Sequence, residues 1–307
     1  MKIVVLGSLN MDLVTNVPTL PRVGETVSGT SFRTTPGGKG ANQAVAAKRL
    51  GASVSMIGQV GDDIYGTELL KSLRSEGVSV ENVSVSHGIH TGVALIGVED
   101  SGLNSITAVY GANMAESAAY EESIRQSVSD ADVLLLQNEI PHRYNVIAAE
   151  EARENDSVII WDPAPVREGA VDLAGIATLI TPNEHEIVPF IDESEITVAD
   201  IESAFELSLK IKKSFSAIPI ITLGEMGAVF VDKGETHVQE ARSVVAVDSV
   251  GAGDAFSGAL AVGISEGMTL PEAVRFASLT GSICVQRRGA QVSMPTREEV
   301  DALLLGF

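Results

Sequence analysis

Short apolar runs punctuate the chain, and between them hydrophobic positions recur with helical spacing. The runs are Ile3 to Leu6, Val54 to Ile57, Val133 to Gln137, Val158 to Trp161, Leu179 to Thr181, Ile218 to Leu223 and Ala228 to Val231. They are rich in Val, Ile and Leu and show little polar alternation, as strands covered on both faces do. Helical patterns occupy Lys39 to Leu50, Gly66 to Glu76, Glu116 to Ser127, His142 to Glu154, Ile201 to Ser214, Asp254 to Glu266 and Pro271 to Arg287. This alternation predicts an α/β fold, a mostly parallel central sheet with helices on both faces.

Two segments break the rhythm. Asp12 to Phe32 and Thr91 to Tyr110 read as extended, with Gly and Pro punctuation, and are expected to form antiparallel strands of a small sheet. At about 150 residues per domain, 307 residues would allow two domains. No linker, repeat or low-complexity tract divides the chain, so the expectation is one domain over 1–307 with a small lid near 12–32 and 91–110.

Composition narrows the function. With 45% hydrophobic and 20% charged residues the chain has enough apolar surface to fold, which excludes a disordered protein. Cys284 is the one cysteine, which excludes an internal disulfide framework and a multi-thiolate metal site and fits a reducing, cytoplasmic setting. The opening MKIVVLGS is too short for a secretory leader, and no apolar run approaches ~18 residues, so no membrane span is expected. The formal charge of -20 repels nucleic acid and anionic membrane, so neither is an expected partner. Any phosphate site must then be made locally, from backbone N–H groups, a few cations or a metal. The acidity itself reads as a solvated surface or, with few lysines, as adaptation to a salty cytoplasm.

Ligands of open parallel sheets bind beyond the carboxyl ends of the strands, and several polar clusters fall there. Asn10 and Asp12 follow the first strand, two apart and so on one side of an extended segment; they suit a polyol, or ordinary turn chemistry. Pro36 to Gln43, PGGKGANQ, brings three glycines, Lys39 and Asn42 to the start of a helix. Glu139 follows an apolar strand, as a binding group or the start of a loop. In TPNEHE, Asn183 and Glu186 stand three apart and could hold hydrated Mg²⁺ through water, or cap a helix. TLGEMG, from Thr222 to Gly227, suits a hairpin and leaves room for a nucleotide. DSVGAGDAFSGAL, Asp248 to Leu260, places Gly251, Ala252 and Gly253 at a helix start with Asp254 in the first turn. Uncovered N–H groups there would hold an anion beside an acceptor carboxylate. Together these parts suit phosphoryl transfer to a hydroxyl, with the carboxylate taking the hydroxyl proton.

Over its whole length the chain resembles the ribokinase family, the carbohydrate and nucleoside kinases that include the minor bacterial phosphofructokinase and adenosine kinase. The resemblance rests on GGKGANQAVAAKRLGA, Gly37 to Ala52, and DSVGAGDAFSGAL, with TPNE, TLGEMG and RRGAQVSMP between and after them. It implies a ribokinase-like fold: a nine-stranded, mostly parallel sheet flanked by helices, with a β lid that also makes a homodimer contact. It implies transfer from ATP to the 5-hydroxyl of ribose, or of a related sugar or nucleoside. By motif position Asp254 corresponds to the base, and Gly251, Ala252 and Gly253 to the anion hole. Asn10, Asp12, Gly38, Lys39, Asn42 and Glu139 correspond to the sugar contacts. Asn183, Thr222, Gly224, Gly227, Gly253 and Ser278 correspond to the ATP contacts, and Glu186 to the acid tied to Mg²⁺ through water. A K⁺ site is implied at Asp248, Val250, Cys284, Arg287, Gly289 and Ser293, several through carbonyls. Ser249 departs from the family's more usual Thr but keeps the hydroxyl. A non-catalytic sugar sensor on the same fold would lack the base or the anion hole, and both are present in the sequence.

Overall fold

The computed structural model describes residues 2–167, 169–190, 198 and 200–306. In chain order the elements are β1 (Lys2–Leu6), β2 (Asn10–Val17), β3 (Ser31–Gly37), α1 (Lys39–Arg49), β4 (Ser53–Gly61), α2 (Ile64–Ser75), β5 (Ser79–Ser86), β6 (Gly92–Glu99) and β7 (Asn104–Val109). There follow α3 (Ala118–Val128), β8 (Val133–Leu136), α4 (His142–Glu154), β9 (Val158–Trp161), β10 (Leu179–Ile180), α5 (Ile201–Ser214) and β11 (Ile218–Thr222). The chain continues through β12 (Ala228–Asp232), β13 (Glu235–Gln239), α6 (Ala252–Ser265), α7 (Leu270–Cys284) and α8 (Arg297–Leu304).

Nine strands form the large sheet in the order β13-β12-β11-β10-β9-β8-β1-β4-β5. All neighbours from β11 to β5 pair in parallel, while β12 turns back against β11 and β13 against β12. Each central strand feeds both faces. Ile3 and Val5 enter one core with α1, α6 and α7, while Val4 and Leu6 enter the other with α3, α4 and α5. Burial on both sides is why these strands read as unbroken apolar runs. The chain builds outward from β1 through β4 to β5, then returns to the opposite side of β1 at β8. The carboxyl ends of β1 and β8 therefore flank a topological switch point, where such sheets open a crevice.

Two helices meet at that crevice with a glycine in place of a capping side chain. The helices α2, α3 and α5 are capped by side chains of Asp63, Ser117 and Asp200. By contrast α1 and α6 begin at Gly38 and Gly251 with no side-chain cap. They also pack closely: a Cβ on Gly258 of α6 would meet Ala46 Cβ at 2.8 Å and Gln43 O at 2.9 Å. Only glycine permits that approach, which sets the first turn of α1 beside the first turn of α6.

The small sheet has the order β3-β2-β6-β7. The expectation of purely antiparallel pairing is corrected here: β2–β3 and β6–β7 are antiparallel, but β2–β6 is parallel. The reason is connectivity. Both β2 and β6 run on from parallel strands of the large sheet, β1 and β5, and so leave it in the same sense. The small sheet also spans 10–17, 31–37, 92–99 and 104–109 rather than 12–32 and 91–110, and 18–30 contains no strand. One of its faces exposes Phe32, Leu95 and Val109. Three elements were not anticipated: β5, β13 and α8. Among the described residues no helix is long and apolar enough to cross a membrane.

Candidate active site

Glu139, just beyond β8, ties the switch point together. Its Oε2 accepts from the Lys39 N–H at 3.0 Å and from the Ser8 hydroxyl. A carboxylate is well placed there, at the N-terminus of α1. Gly38 makes the turn possible: its φ is 91°, and a Cβ would meet Asn10 N at 2.7 Å and Ser8 O at 2.8 Å. Asn10, at the start of β2, is held by Asn113, whose Nδ2 donates to Asn10 Oδ1 at 2.8 Å. Asn113 also accepts from Leu9 N at 2.9 Å, so the 3-10 turn after β7 is pinned to the β1–β2 junction.

Asp254 faces into this cluster and is 5% exposed. Its Oδ2 accepts from Asn42 Nδ2 at 2.8 Å and its Oδ1 from Gln43 Nε2 at 3.2 Å. Burial pushes its carboxyl up to about 6, against the opposing pull of Lys39 and the two amides. Burial likewise pushes Asp12 up to about 7, helped by the charges of Glu139 and Asp254. Lys39 shows the opposite balance. Burial acts against its charge, but Asp162, Asp254, Glu139 and Glu186 together outweigh it and hold the ammonium above its ordinary range. Buried Asn42 Oδ1 has no hydrogen-bond partner among the described residues.

At the start of α6, Gly251 takes a left-handed conformation with φ 80°. The Ala252 N–H turns back to Ser249 O at 3.2 Å, so one of the three expected anion donors is already engaged. No acceptor among the described residues takes the N–H of Gly251, Gly253 or Asp254. A Cβ at Gly253 would meet nothing within 4 Å, so this helix end is open.

Beyond β10, Asn183 and Glu186 bond each other. Asn183 Oδ1 accepts from Glu186 N at 2.9 Å, and Glu186 Oε2 accepts from Asn183 N at 3.0 Å. This is turn-capping geometry, and the Glu186 charge still reaches Lys39 and Asp162. Thr222 continues the same edge, its N–H donating to Pro182 O at 2.9 Å. The two hairpin glycines differ. At Gly224 a Cβ would meet nothing within 4 Å, whereas at Gly227 it would meet Gln239 O at 2.0 Å. Gly227 therefore lets the hairpin lie against the end of β13. Ser278 stands half-buried on α7.

The six residues expected at a monovalent-cation site fall in two loops that are laced together. Asp248 accepts from Val250 N at 3.0 Å and Gly289 N at 2.9 Å, and its own N–H donates to Val285 O at 3.1 Å. Cys284 Sγ lies 3.0 Å from Ser293 Oγ, the Cys284 carbonyl accepts from Arg287 N at 3.1 Å, and the Arg287 guanidinium is bonded to Glu299. One carboxylate amid backbone carbonyls fits a large, weakly hydrated cation. Among the described residues no group of three or more His, Cys, Asp or Glu is placed to hold a metal. A divalent ion here would depend on water and substrate phosphates, which is how Mg²⁺ is usually held.

Sequence reasoning did not reach Ser8, Gln43, Asn113, Gln137 or Asp162. Asp162 was reachable: it follows the buried strand β9 as Glu139 follows β8. It is 4% exposed, and burial raises its carboxyl well above the usual range. Gln43 Nε2 donates to its Oδ2 at 2.8 Å.

Three comparisons bear on this arrangement. The family model described as pfkB family carbohydrate kinase matches residues 1–297. A ribokinase of Bacillus subtilis is 41% identical over 302 residues, covering 98% of this chain and 99% of the relative. Among solved structures, a ribokinase from Thermotoga maritima superposes with a TM-score of 0.87 at 33% identity, covering 99% of both chains. Arabidopsis thaliana ribokinase complexed with ribose and ATP superposes with a TM-score of 0.86 at 32% identity, covering 99% of this chain and 98% of that one.

Proposed function

The chain belongs to the pfkB family of carbohydrate kinases, and from that premise we propose that it transfers the γ-phosphoryl of ATP to the 5-hydroxyl of D-ribose, giving ribose 5-phosphate and ADP. The observation that carries this reading is the Asp254 carboxylate, buried, held by two neutral amides and set at the open N-terminus of α6.

The sugar lies among Asn10, Asp12, Gly38, Lys39, Asn42 and Glu139, and the orphaned Asn42 Oδ1 accepts one of its hydroxyls. Asp254 accepts the proton of the 5-hydroxyl as the oxygen attacks the γ-phosphorus, and the bond to the β-phosphate oxygen breaks. Free N–H groups at Gly251 and Gly253 stabilise the charge that develops on the transferring group. The nucleotide runs along Asn183, Thr222, Gly224, Gly227, Gly253 and Ser278. Glu186 would hold Mg²⁺ through water, and the loops of Asp248, Val250, Cys284, Arg287, Gly289 and Ser293 would hold K⁺ behind the anion site. Mg²⁺ would supply charge neutralisation on the phosphates. The small sheet closes over the sugar and excludes water, and its exposed apolar face is the surface for pairing two copies. The lone buried thiol suits a cytoplasmic setting.

A coupled ADP assay over ribose, deoxyribose, other pentoses, nucleosides and fructose 6-phosphate tests the substrate. Ribose should show the highest kcat/KM, and faster turnover of adenosine or fructose 6-phosphate would sink that choice. Asp254→Asn should lower kcat by about 10²–10⁴ while sugar binding persists; full turnover in that variant would remove Asp254 as the base.

A further inference from the structure

Behind the proposed base lies a chain of amides with no role so far. Asn145 Nδ2, on α4, donates to the Gln137 carbonyl at 2.7 Å, and Gln137 Nε2 donates to Gln43 Oε1 at 2.7 Å. Gln43 then spends its two N–H bonds on two carboxylates, Asp162 Oδ2 and Asp254 Oδ1. Its amide orientation follows from the far oxygen, which accepts from Gln137 Nε2 and so leaves Nε2 to face the two carboxylates. Gln43 is fully buried on the inward face of α1.

We propose that Gln43 is a positioning residue for Asp254: its amide fixes the plane of the carboxylate from behind, so that the remaining lone pairs meet the acceptor hydroxyl. This rests on the reading of Asp254 as the base. A neutral clamp has a consequence that a cation in the same place would not. An arginine or lysine bonded to Asp254 would depress its basicity, whereas an amide orients it at small electrostatic cost. Asp162 serves as the second anchor, preventing the Gln43 side chain from rotating about the single bond it makes to the base. Asn42 holds the other carboxylate oxygen, so two adjacent residues of one helical turn grip both oxygens of Asp254. The titratable groups whose charge reaches Asp254 are Lys39, Glu139, Asp12, Asp162 and Cys284.

The test is steady-state kinetics from pH 5 to 9. Gln43→Met keeps the length of the side chain and removes both donors. It should lower kcat about 10- to 100-fold, the scale of a small misplacement of a reacting group, while the sugar KM changes less than about threefold. The acid limb of kcat should move to higher pH by about half a unit or more, because the lost N–H favoured the charged carboxylate. In an Asp254→Asn background the same change should cost less than about twofold, as expected when two residues act through one group. Gln137→Met loosens Gln43 without touching either carboxylate and should show the same signature at smaller size, so a poorly folding Gln43→Met does not end the test. An unmoved acid limb and unchanged kcat in both variants, beside an Asp254→Asn variant that has lost turnover, overturn this inference alone. Full turnover in Asp254→Asn overturns the reading of the base and this inference with it.

Discussion

On the acceptor side of the crevice, Asp12, Lys39, Glu139, Asp162 and Asp254 are crowded within reach of one another's charge, and Glu139, Asp162 and Asp254 are already held by donors of the protein. On the side where we place the nucleotide, Asn183, Thr222, Gly224 and Ser278 offer small neutral groups, and Asn183 and Glu186 spend their bonds on each other. The first half is preorganised charge, which is expensive to bury and depends on every partner. The second half is backbone and turn chemistry, which holds its shape without cost to the rest of the fold. Substitutions should therefore separate the two halves by size of effect and by pH dependence.

The sharpest contrast sets one glycine against another. Gly38 at φ 91° has backbone atoms of Asn10 and Ser8 within 3 Å of where a Cβ would be, whereas Gly224 at φ 55° has open space. Gly38→Ala should cost about 4 kcal/mol, combining backbone strain with a forced shift of the β1–β2 junction. Gly224→Ala should cost about 1 kcal/mol. Urea unfolding of both variants checks this, and equal losses would break the comparison. Next comes Lys39→Met, which leaves four carboxylates without their shared cation. A loss of about 2–3 kcal/mol is expected at pH 7.5, below the full range for a buried pair because Lys39 is half-buried rather than fully enclosed. The deficit should shrink at pH 5.5, where Asp254, pushed up to about 6, takes up a proton. A pH-independent deficit would mean that the cation matters for packing alone.

Much of this was legible in the sequence. The order of apolar runs and helices, the glycine-rich helix starts and the polar residues after Leu6, Leu136 and Ile180 all stand in the chain as local patterns. What escaped was non-local or disguised. The parallel pairing of β2 with β6 joins segments far apart in sequence, and nothing in either one encodes the direction. The edge strand β5, SVENVSVS, has polar residues where a covered strand has apolar ones, and α8 is a short helix after a proline. Gln43 looked like one more polar position in a small-residue helix. Its meaning depends on Asp162 and Asp254 arriving from strands and helices more than a hundred residues away.

Asp12 gives a middle-sized effect with a definite sign. Its carboxyl is pushed from 3.8 to about 7 on folding, so between those values the folded state holds a proton that the unfolded state has lost. Stability supplied by that proton is full below about pH 4 and gone above about pH 7. Asp12→Asn does not titrate. Relative to the wild type it should gain stability as pH rises from 4 to 7, reaching about 1–2 kcal/mol and then levelling off. Its sugar KM should rise at the same time. Thermal melts of both proteins across that range decide the matter, and a constant difference would place Asp12 in a far wetter setting.

The smallest effect belongs to the neutral half. Asn183→Ala removes the acceptor that takes the N–H groups of His185 and Glu186, at 2.8 and 2.9 Å. A lost cap of this kind costs about 1 kcal/mol. The loss should be the same at pH 5.5 and 8, because no charge in the acceptor cluster is bonded to it. The KM for ATP should rise a few-fold with kcat and the sugar KM held, since the turn shapes the nucleotide edge and leaves Asp254 untouched. A fall in kcat with a displaced acid limb would show that Asn183 speaks to the base through Glu186 and Lys39, whose charges do reach each other. In that case the two halves of the crevice would be one electrostatic unit, and the difference in material between them would not be a difference in function.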